Sequence, residues 1–424
     1  QVCARGLGQR MSARRLRSAR PLLARLACSA LCGSRPGIAD GSFRRPGPLA
    51  SCSLQAKIWW RRSCSMAATV PASSSPSGPE PAPPAPKRAR GVTTEAEMAP
   101  LVSVVVPCHN GAPWLERCLA SVEAQTWRPL ELSIFDDAST DGSGAILAQW
   151  RPRLEAAGVT VRLGGGDCKG GPRGCGFAKN RAVEQSSGEF LCFLDADDEM
   201  APGRVKAQLA EACRHGALES ECLLVGCGVE RDPPDAQPRF TGWANSLITE
   251  EDMLRERFRE CPLLMVTWFL HRKAFDMIGG FSEAGKGTPE DLIFFYAHCC
   301  RGGRLAKVPE RLVTYRAHEG QTSMGSVSAK AIWDVRLAHI EAQLLDGLDR
   351  FSIWSAGRDG KRFYQSLKLA NRRKVQAFLD VDEKKLSAGG FFDKEDRRHV
   401  QVLHFSTLRD AHTSRAVAET YLPV

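Results

Sequence analysis

From residue 102 onward the chain alternates between short apolar runs and segments with helical spacing. Val102-Ser-Val-Val-Val-Pro107 is an apolar run of the length expected for a strand buried on both faces. Residues 112–125 carry Leu115, Leu119 and Val122 on one helical face. Residues 130–135 predict a second strand, 141–154 a helix, 159–163 a third strand, 175–186 a helix and 189–194 a fourth strand. Alternation at these lengths predicts a parallel sheet with helices on both faces. Ligands of such sheets bind beyond the carboxyl ends of the strands.

Three of those ends carry polar clusters. The first run is followed by Pro107-Cys-His-Asn110-Gly111. The second is followed by Asp136-Asp137, then Ser139-Thr140-Asp141-Gly142; Asp195-Ala-Asp197-Asp198 follows the fourth. Three carboxylates within four residues repel one another unless a cation neutralises them, and hard oxygen donors on a tight turn suit Mg²⁺ or Mn²⁺. The competing reading is a solvated turn with Asp198 capping the next helix. Asp141 stands before a predicted helix and is the expected N-cap. That leaves Asp137 free to accept from a base N–H or a ribose hydroxyl.

The motifs Val-Ser-Val-Val-Val-Pro-x-x-Asn, Asp-Asp-x-Ser-Thr-Asp-Gly, Lys179-Asn180-Arg181-Ala182 and Phe-Leu-Asp-Ala-Asp-Asp, taken in order, resemble the nucleotide-binding half of a family 2 glycosyltransferase. Gly279-Gly280-Phe281-Ser-Glu, Pro289-Glu290-Asp291 and Tyr315-Arg-Ala-His318 continue the series, so the resemblance spans about residues 101–325. It implies a GT-A nucleotide-diphospho-sugar transferase fold, Rossmann-like with a mostly parallel sheet. It also implies an inverting, metal-assisted transfer from a UDP-sugar, with N-acetylglucosamine as the suggested sugar. Carried over by position, Pro107, His109 and Asp137 line the uridine, and Asn110, Asn180 and Asp195 complete the nucleotide-sugar set. Asp195, Asp197 and His318 are the implied metal ligands, Asp197 being the stronger. Asp291 matches the general base, with Glu290 as the fallback. The acceptor, whether glycan, protein or small molecule, is not specified by the motifs.

This chemistry has a physical basis. A departing diphosphate gains charge in the transition state, so a cation there favours leaving over binding. Inversion requires a base on the opposite face of the sugar to take the acceptor proton. A carboxylate beside another, as in Glu290-Asp291, has a raised proton affinity. The alternatives are a non-catalytic nucleotide-sugar-binding protein and a dinucleotide-binding regulator acting through the C-terminal part.

Residues 326–424 are expected to form a helical linker over 327–346 and a small Rossmann-like α/β domain. A strand near 351, the turn Ser355-Ala-Gly357-Arg-Asp-Gly360, a helix to about 371 and a second strand ending in Asp380 and Asp382 approximate a dinucleotide fingerprint, with serine at its first glycine. Residues 400–405 are the expected third strand. The glycine-rich run 164–176 predicts a flexible segment beside the donor site, from which Lys169 or Arg173 could reach the diphosphate. Trp243 and Trp268 are candidates to stack on an acceptor sugar, although Trp268 lies in an apolar run that favours the core.

Charge at first suggests a nucleic-acid or membrane partner, since the 424 residues carry a formal +10. Residues 1–66 alone carry +12, residues 67–100 are neutral, and the remainder is left at −2. The basic signal therefore belongs to the leader, and no nucleic-acid partner is expected. Residues 1–66 are rich in Arg and Ser like a transit peptide, and residues 67–100 are rich in Pro, Ala and Ser; the whole of 1–100 is read as a disordered leader. The chain opens on Gln1, and Met11 and Met66 are candidate starts, so residues 1–65 need not belong to the mature protein. No stretch approaches the roughly 20 apolar residues of a membrane span. The 11 cysteines after residue 100 show no zinc spacing and fall largely in apolar runs, which predicts free thiols and a cytoplasmic address. The basic leader leaves Golgi or other organelle targeting open.

Overall fold

A computed structural model describes residues 99–165, 170–216, 222–319, 321, 327–407 and 420–423. The expectations for the leader and for Lys169 lie outside the described residues.

The first part alternates as the pattern predicts. Strand β1 (Val102–Cys108) is buried along its whole length and leads into α1 (Ala112–Glu123). Then come β2 (Leu130–Asp136), α2 (Ser143–Ala156), β3 (Val159–Gly165), α3 (Cys175–Glu184), β4 (Phe190–Phe193) and the two-residue β5 (Glu199–Met200). Helix α4 (Arg204–Arg214) and β6 (Leu223–Asp232) follow, with α5 (Pro238–Ser246) and α6 (Glu250–Glu256) beyond them. The part closes with β7 (Phe269–His271), α7 (Arg272–Ile278), α8 (Glu290–Cys300) and β8 (Arg304–Arg316).

The eight strands form one sheet in the order β3-β2-β1-β4-β7-β6-β8-β5. β3, β2, β1 and β4 run parallel, β7 is antiparallel to both β4 and β6, and β6 pairs parallel with β8. The loops after β1, β2 and β4 therefore leave from the same edge. One apolar core packs α1, α2 and α4 against the sheet, and a second, with Phe193, Trp268, Phe281 and Phe294, fills the opposite face. Each large side chain buried there contributes about 1.5–3 kcal/mol.

Arg204 is fully buried and bonds the end of β4. Its guanidinium donates to the carbonyls of Phe193 and Val266 at 2.8 Å and to the Gln208 amide oxygen at 2.9 Å. It thus ties the last residue of β4 to the segment before β7, two residues ahead of Asp195.

The remainder begins with α9 (Ala329–Ile340), which passes into a π-helical turn over Glu341–Leu345 within the predicted helix. β9 (Phe351–Trp354), α10 (Arg358–Ser366), α11 (Leu369–Arg372), β10 (Val375–Asp380), α12 (Glu383–Ser387), β11 (Gly390–Asp393), β12 (Arg398–His404) and β13 (Thr420–Pro423) complete it. Their sheet has the order β11-β12-β10-β9-β13, all parallel except β11. It has its own core, to which Phe258 of the first part contributes. The His339 ring stacks on Tyr296 at 3.9 Å, and Arg336 donates to Glu260 at 2.5 Å. Helix α9 is thus packed against α8, which bears the candidate base at its other end.

Candidate functional site

The loops after β1 and β2 are laced together. Asn110 takes a left-handed backbone, its N–H donates to Ser139 Oγ at 2.8 Å, and its side-chain oxygen accepts from Thr140 N–H at 2.8 Å. His109 Nδ1–H donates to the Asp137 carbonyl at 2.7 Å. Pro107 lies beside Phe135 in the β1–β2 register. The structure thus gathers Pro107, His109, Asn110 and Asp137 at one strand edge, but engages the last three internally.

The expectation for Asp141 and Asp137 requires correction. Gly142, not Asp141, precedes α2, and it offers no side-chain cap. The Asp141 carboxylate instead accepts from Ser143 N–H at 2.9 Å and Ala112 N–H at 3.0 Å, joining two helix starts. Asp137 is not left free: its buried carboxylate accepts from Arg173 N–H at 2.9 Å and Gly174 N–H at 2.7 Å. It anchors the end of the glycine-rich run where α3 begins. The Arg173 guanidinium lies 3.7 Å from the centre of the Phe177 ring.

Asn180 also has a task other than touching a donor. Its amide donates to Phe281 O at 2.9 Å and Glu283 Oε1 at 2.8 Å, and its oxygen accepts from Phe281 N–H at 2.9 Å. Both amide donors and the amide oxygen are engaged by the Gly279–Glu283 loop, in which glycines 279 and 280 take left-handed backbone. Trp268 is fully buried, its indole N–H donating to Leu263 O at 2.9 Å, so it is core. Trp243 is half-buried and donates toward Glu256 at 3.4 Å.

After β4, Asp195, Asp197 and Asp198 each offer an oxygen, and these atoms lie within 4.8 Å of one another. Asp195 Oδ1 is buried without a hydrogen-bond partner. Burial, then the negative charges of Asp197, Glu290 and Asp291, push the Asp195 carboxyl up to about 7 against the pull of Lys179. Asp198 is also driven up, by burial and its two neighbours, and accepts from Arg316 N–H at 2.7 Å. His318 Nε2 lies 2.9 Å from Asp197 Oδ2, and its ring stacks on Trp114 at 3.8 Å. Crowded carboxyls with an orphaned oxygen and an adjacent imidazole fit a hard divalent cation.

The resemblance left Asp198 out of the ligand set, although the acidic turn as a whole was read as a cation site, and sequence reasoning missed Trp114 and Arg316. Arg316 donates to Asp197 O at 2.6 Å and to Asp232 at 3.2 Å, and pairs with Glu199, so it braces the acidic turn. The only sequence signal for it is its place between Tyr315 and His318.

Glu290 and Asp291 open α8, where the helix dipole favours acids. Their environments differ. Burial would raise Glu290, but the Lys179 ammonium at 2.8 Å outweighs it and lowers the carboxyl. Asp291 is raised to about 6, by burial first and then by the charge of Glu290. Two adjacent acids with affinities pushed apart are suited to different tasks.

Comparison with known proteins gives the family. The glycosyl transferase family 2 pattern spans residues 103–279. A Bacillus subtilis glycosyltransferase assigned to teichuronic acid biosynthesis (TuaG) is 30% identical over 239 residues, 56% of this chain and 87% of its own. The chain belongs to glycosyl transferase family 2. The uncharacterised glycosyltransferase EpsJ of Bacillus subtilis is 25% identical over 57% of this chain and 67% of its own. Among solved structures, S. aureus TarS 1–349 in complex with UDP-GlcNAc is 17% identical, covers 65% of this chain and 84% of its own, and gives a TM-score of 0.45. At that TM-score, its ligand says nothing about this chain. This family 2 glycosyltransferase has a GT-A fold and carries the Asp195–Asp198 turn after β4, on the sheet edge that also bears the β1 and β2 loops.

The C-terminal fingerprint is present as backbone and filled as a site. Ser355 adopts φ +80, and a Cβ on Gly360 would meet Ser355 O at 1.9 Å. The Asp380 carboxylate, where a ribose would bind, accepts from Ala356, Val381 and Asp382 N–H at 2.8–3.0 Å and from Lys385 Nζ at 2.9 Å. Nothing in that arrangement favours a dinucleotide.

Proposed function

We propose that this enzyme transfers N-acetylglucosamine from UDP-N-acetylglucosamine to an acceptor hydroxyl with inversion, assisted by Mn²⁺ or Mg²⁺. The observation that carries it is the meeting of Asp195, Asp197 and Asp198, with ligand atoms within 4.8 Å, on the sheet edge that also bears the β1 and β2 loops. The sugar is suggested by the likeness of the motif series to a vertebrate β-1,3-N-acetylglucosaminyltransferase-like protein. Asp195 and Asp197 with His318 would hold the cation, and Pro107, His109 and the Asp137 loop would flank the uridine. When bound, the cation supplies charge neutralisation at the departing diphosphate.

Asp291 takes the acceptor proton. Its raised carboxyl suits a base working near neutral pH, whereas lowered Glu290 is a poorer one. The C-terminal unit, residues 326–424, is proposed to be a packing or acceptor-selecting appendage. No helix among the described residues is long and apolar enough to cross a membrane, and the ten described cysteines are free thiols. A cytoplasmic address is part of this proposal.

A thermal-shift screen of nucleotide sugars with and without Mn²⁺ tests the reading. A ligand bound only by the folded state stabilises it by mass action, by about 2.7 kcal/mol at a hundredfold excess over Kd, and so raises the midpoint. A shift with UDP-N-acetylglucosamine that requires Mn²⁺ is expected; no metal-dependent shift with any uridine sugar overturns it.

A further inference from the structure

We propose that Lys179 is a positioning residue of the transferase: its buried ammonium clamps Glu290 on the first turn of α8, and so aims the adjacent Asp291 at the acceptor. This rests on the reading of Asp291 as the base.

Lys179 lies one turn into α3, with its side chain 2% exposed and Nζ 2.8 Å from Glu290 Oε1. The α3–α8 approach that brings them together leaves no slack. A Cβ on Gly176 would meet Ser282 O at 2.2 Å and Glu290 Cβ at 3.3 Å. Nζ also lies 5.2 Å from the centre of the Phe281 ring, and Asn180, the next residue, grips the Phe281 backbone. Lys179 and Asn180 together therefore hold both the loop before α8 and the first residue of α8.

A buried ammonium costs several kcal/mol to desolvate, and a buried ion pair replaced as a whole by apolar side chains is often neutral or stabilising, so stability alone gives little reason for the Lys179–Glu290 pair. Its geometry supplies a reason. Successive residues on a helix point about 100° apart, since a turn holds 3.6 residues. Fixing Glu290 toward α3 therefore fixes the direction of Asp291, whose Oδ1 accepts from Leu292 N–H at 2.7 Å. The same ammonium acts electrostatically on Asp195 across the site, which links the donor side to the acceptor side.

The test uses the full chain with UDP-N-acetylglucosamine and Mn²⁺, and reads UDP released to water so that no acceptor is needed. Lys179→Met should lower kcat about 100-fold, the scale of an angstrom-sized misplacement, with KM moving less than about threefold. Lys179→Arg should restore most of the rate. The double variant with Glu290→Gln should be no worse than the poorer single one, because the pair acts as a unit. Wild-type kcat in K179M, a loss confined to KM, or additive losses overturn the clamp. If K179M does not fold, the near-isosteric E290Q carries the test, and wild-type kcat in E290Q overturns the clamp. Asp291→Asn separates the two readings. An active D291N overturns the base assignment, and with it the clamp's purpose. A silent D291N beside fully active K179M and E290Q overturns the clamp alone. No UDP release by the wild type from any nucleotide sugar overturns both.

Discussion

His318 Nε2 and Asp197 Oδ2 lie 2.9 Å apart although 121 residues separate them in the chain. The contact joins the segment after β8 to the acidic turn after β4 and places an imidazole where it can share a cation with the carboxylates. The Trp114 ring, stacked on His318 at 3.8 Å, fixes the plane of that imidazole.

Asp197→Ala should abolish the Mn²⁺-dependent part of the thermal shift and lower kcat by at least about 100-fold, because charge neutralisation at the diphosphate is worth several kcal/mol. His318→Ala and Trp114→Ala should weaken Mn²⁺ binding about 10-fold or more, the effect expected of a ligand or the group that orients it. Mn²⁺ titration followed by UDP release checks the three variants, and unchanged Mn²⁺ affinity in all of them contradicts the site.

The pH profile should report Asp291. A base acts in its ionised form, and this carboxyl is raised to about 6 by burial and by Glu290. The rate should therefore rise as pH increases through about 6 and level off above it. D291N should lose that limb along with most of the rate. A wild-type profile flat from pH 5 to 8 would point to a different proton acceptor.

Gly176→Ala puts a Cβ 2.2 Å from Ser282 O, a backbone atom that cannot swing aside. The variant should be destabilised by about 1–3 kcal/mol, as overpacking generally is. Thermal denaturation measures this, with Gly144→Ala as the control, since nothing lies within 4 Å of its added Cβ.

Asp380 links acid stability to the C-terminal sheet. Hydrogen bonds from Lys385 and three backbone N–H groups outweigh burial and lower its carboxyl to about 2. Its stabilisation is therefore present above the unfolded value of about 3.9 and is lost as pH falls toward 2. Asp380→Asn should cost about 1–3 kcal/mol at pH 7 and remove that part of the acid sensitivity. Denaturant unfolding at pH 7 and pH 3 checks both.

Much of the scaffold was legible in the sequence. Strands β1 to β4 were predicted to within a residue or two: β1 and β4 are apolar strings buried along their length, whereas β3 alternates buried and exposed positions. β5 and β7, of two and three residues, were not predicted; neither is long enough to show a period. The predicted helix over 327–346 is present, but its last turn is π-helical, a change of hydrogen-bond register that composition does not reveal.

The sequence by itself determined the order of strands and helices, the residues gathered at the strand ends, the acidic turn of Asp195 to Asp198 and the resemblance to a family. Only the tertiary structure decided which of those groups are free. Asp137, Asn180 and Asp380 look alike in sequence as polar residues awaiting a ligand, yet each spends its hydrogen bonds on backbone that folding brings beside it. Conversely, Lys179 and Arg316 carry no periodic signal, and their partners lie 111 and more than 80 residues away. The physical reason is the same in both directions. Periodicity reports which face of an element is buried, whereas the state of a carboxylate or ammonium depends on charges and donors within a few ångströms, supplied by other parts of the chain.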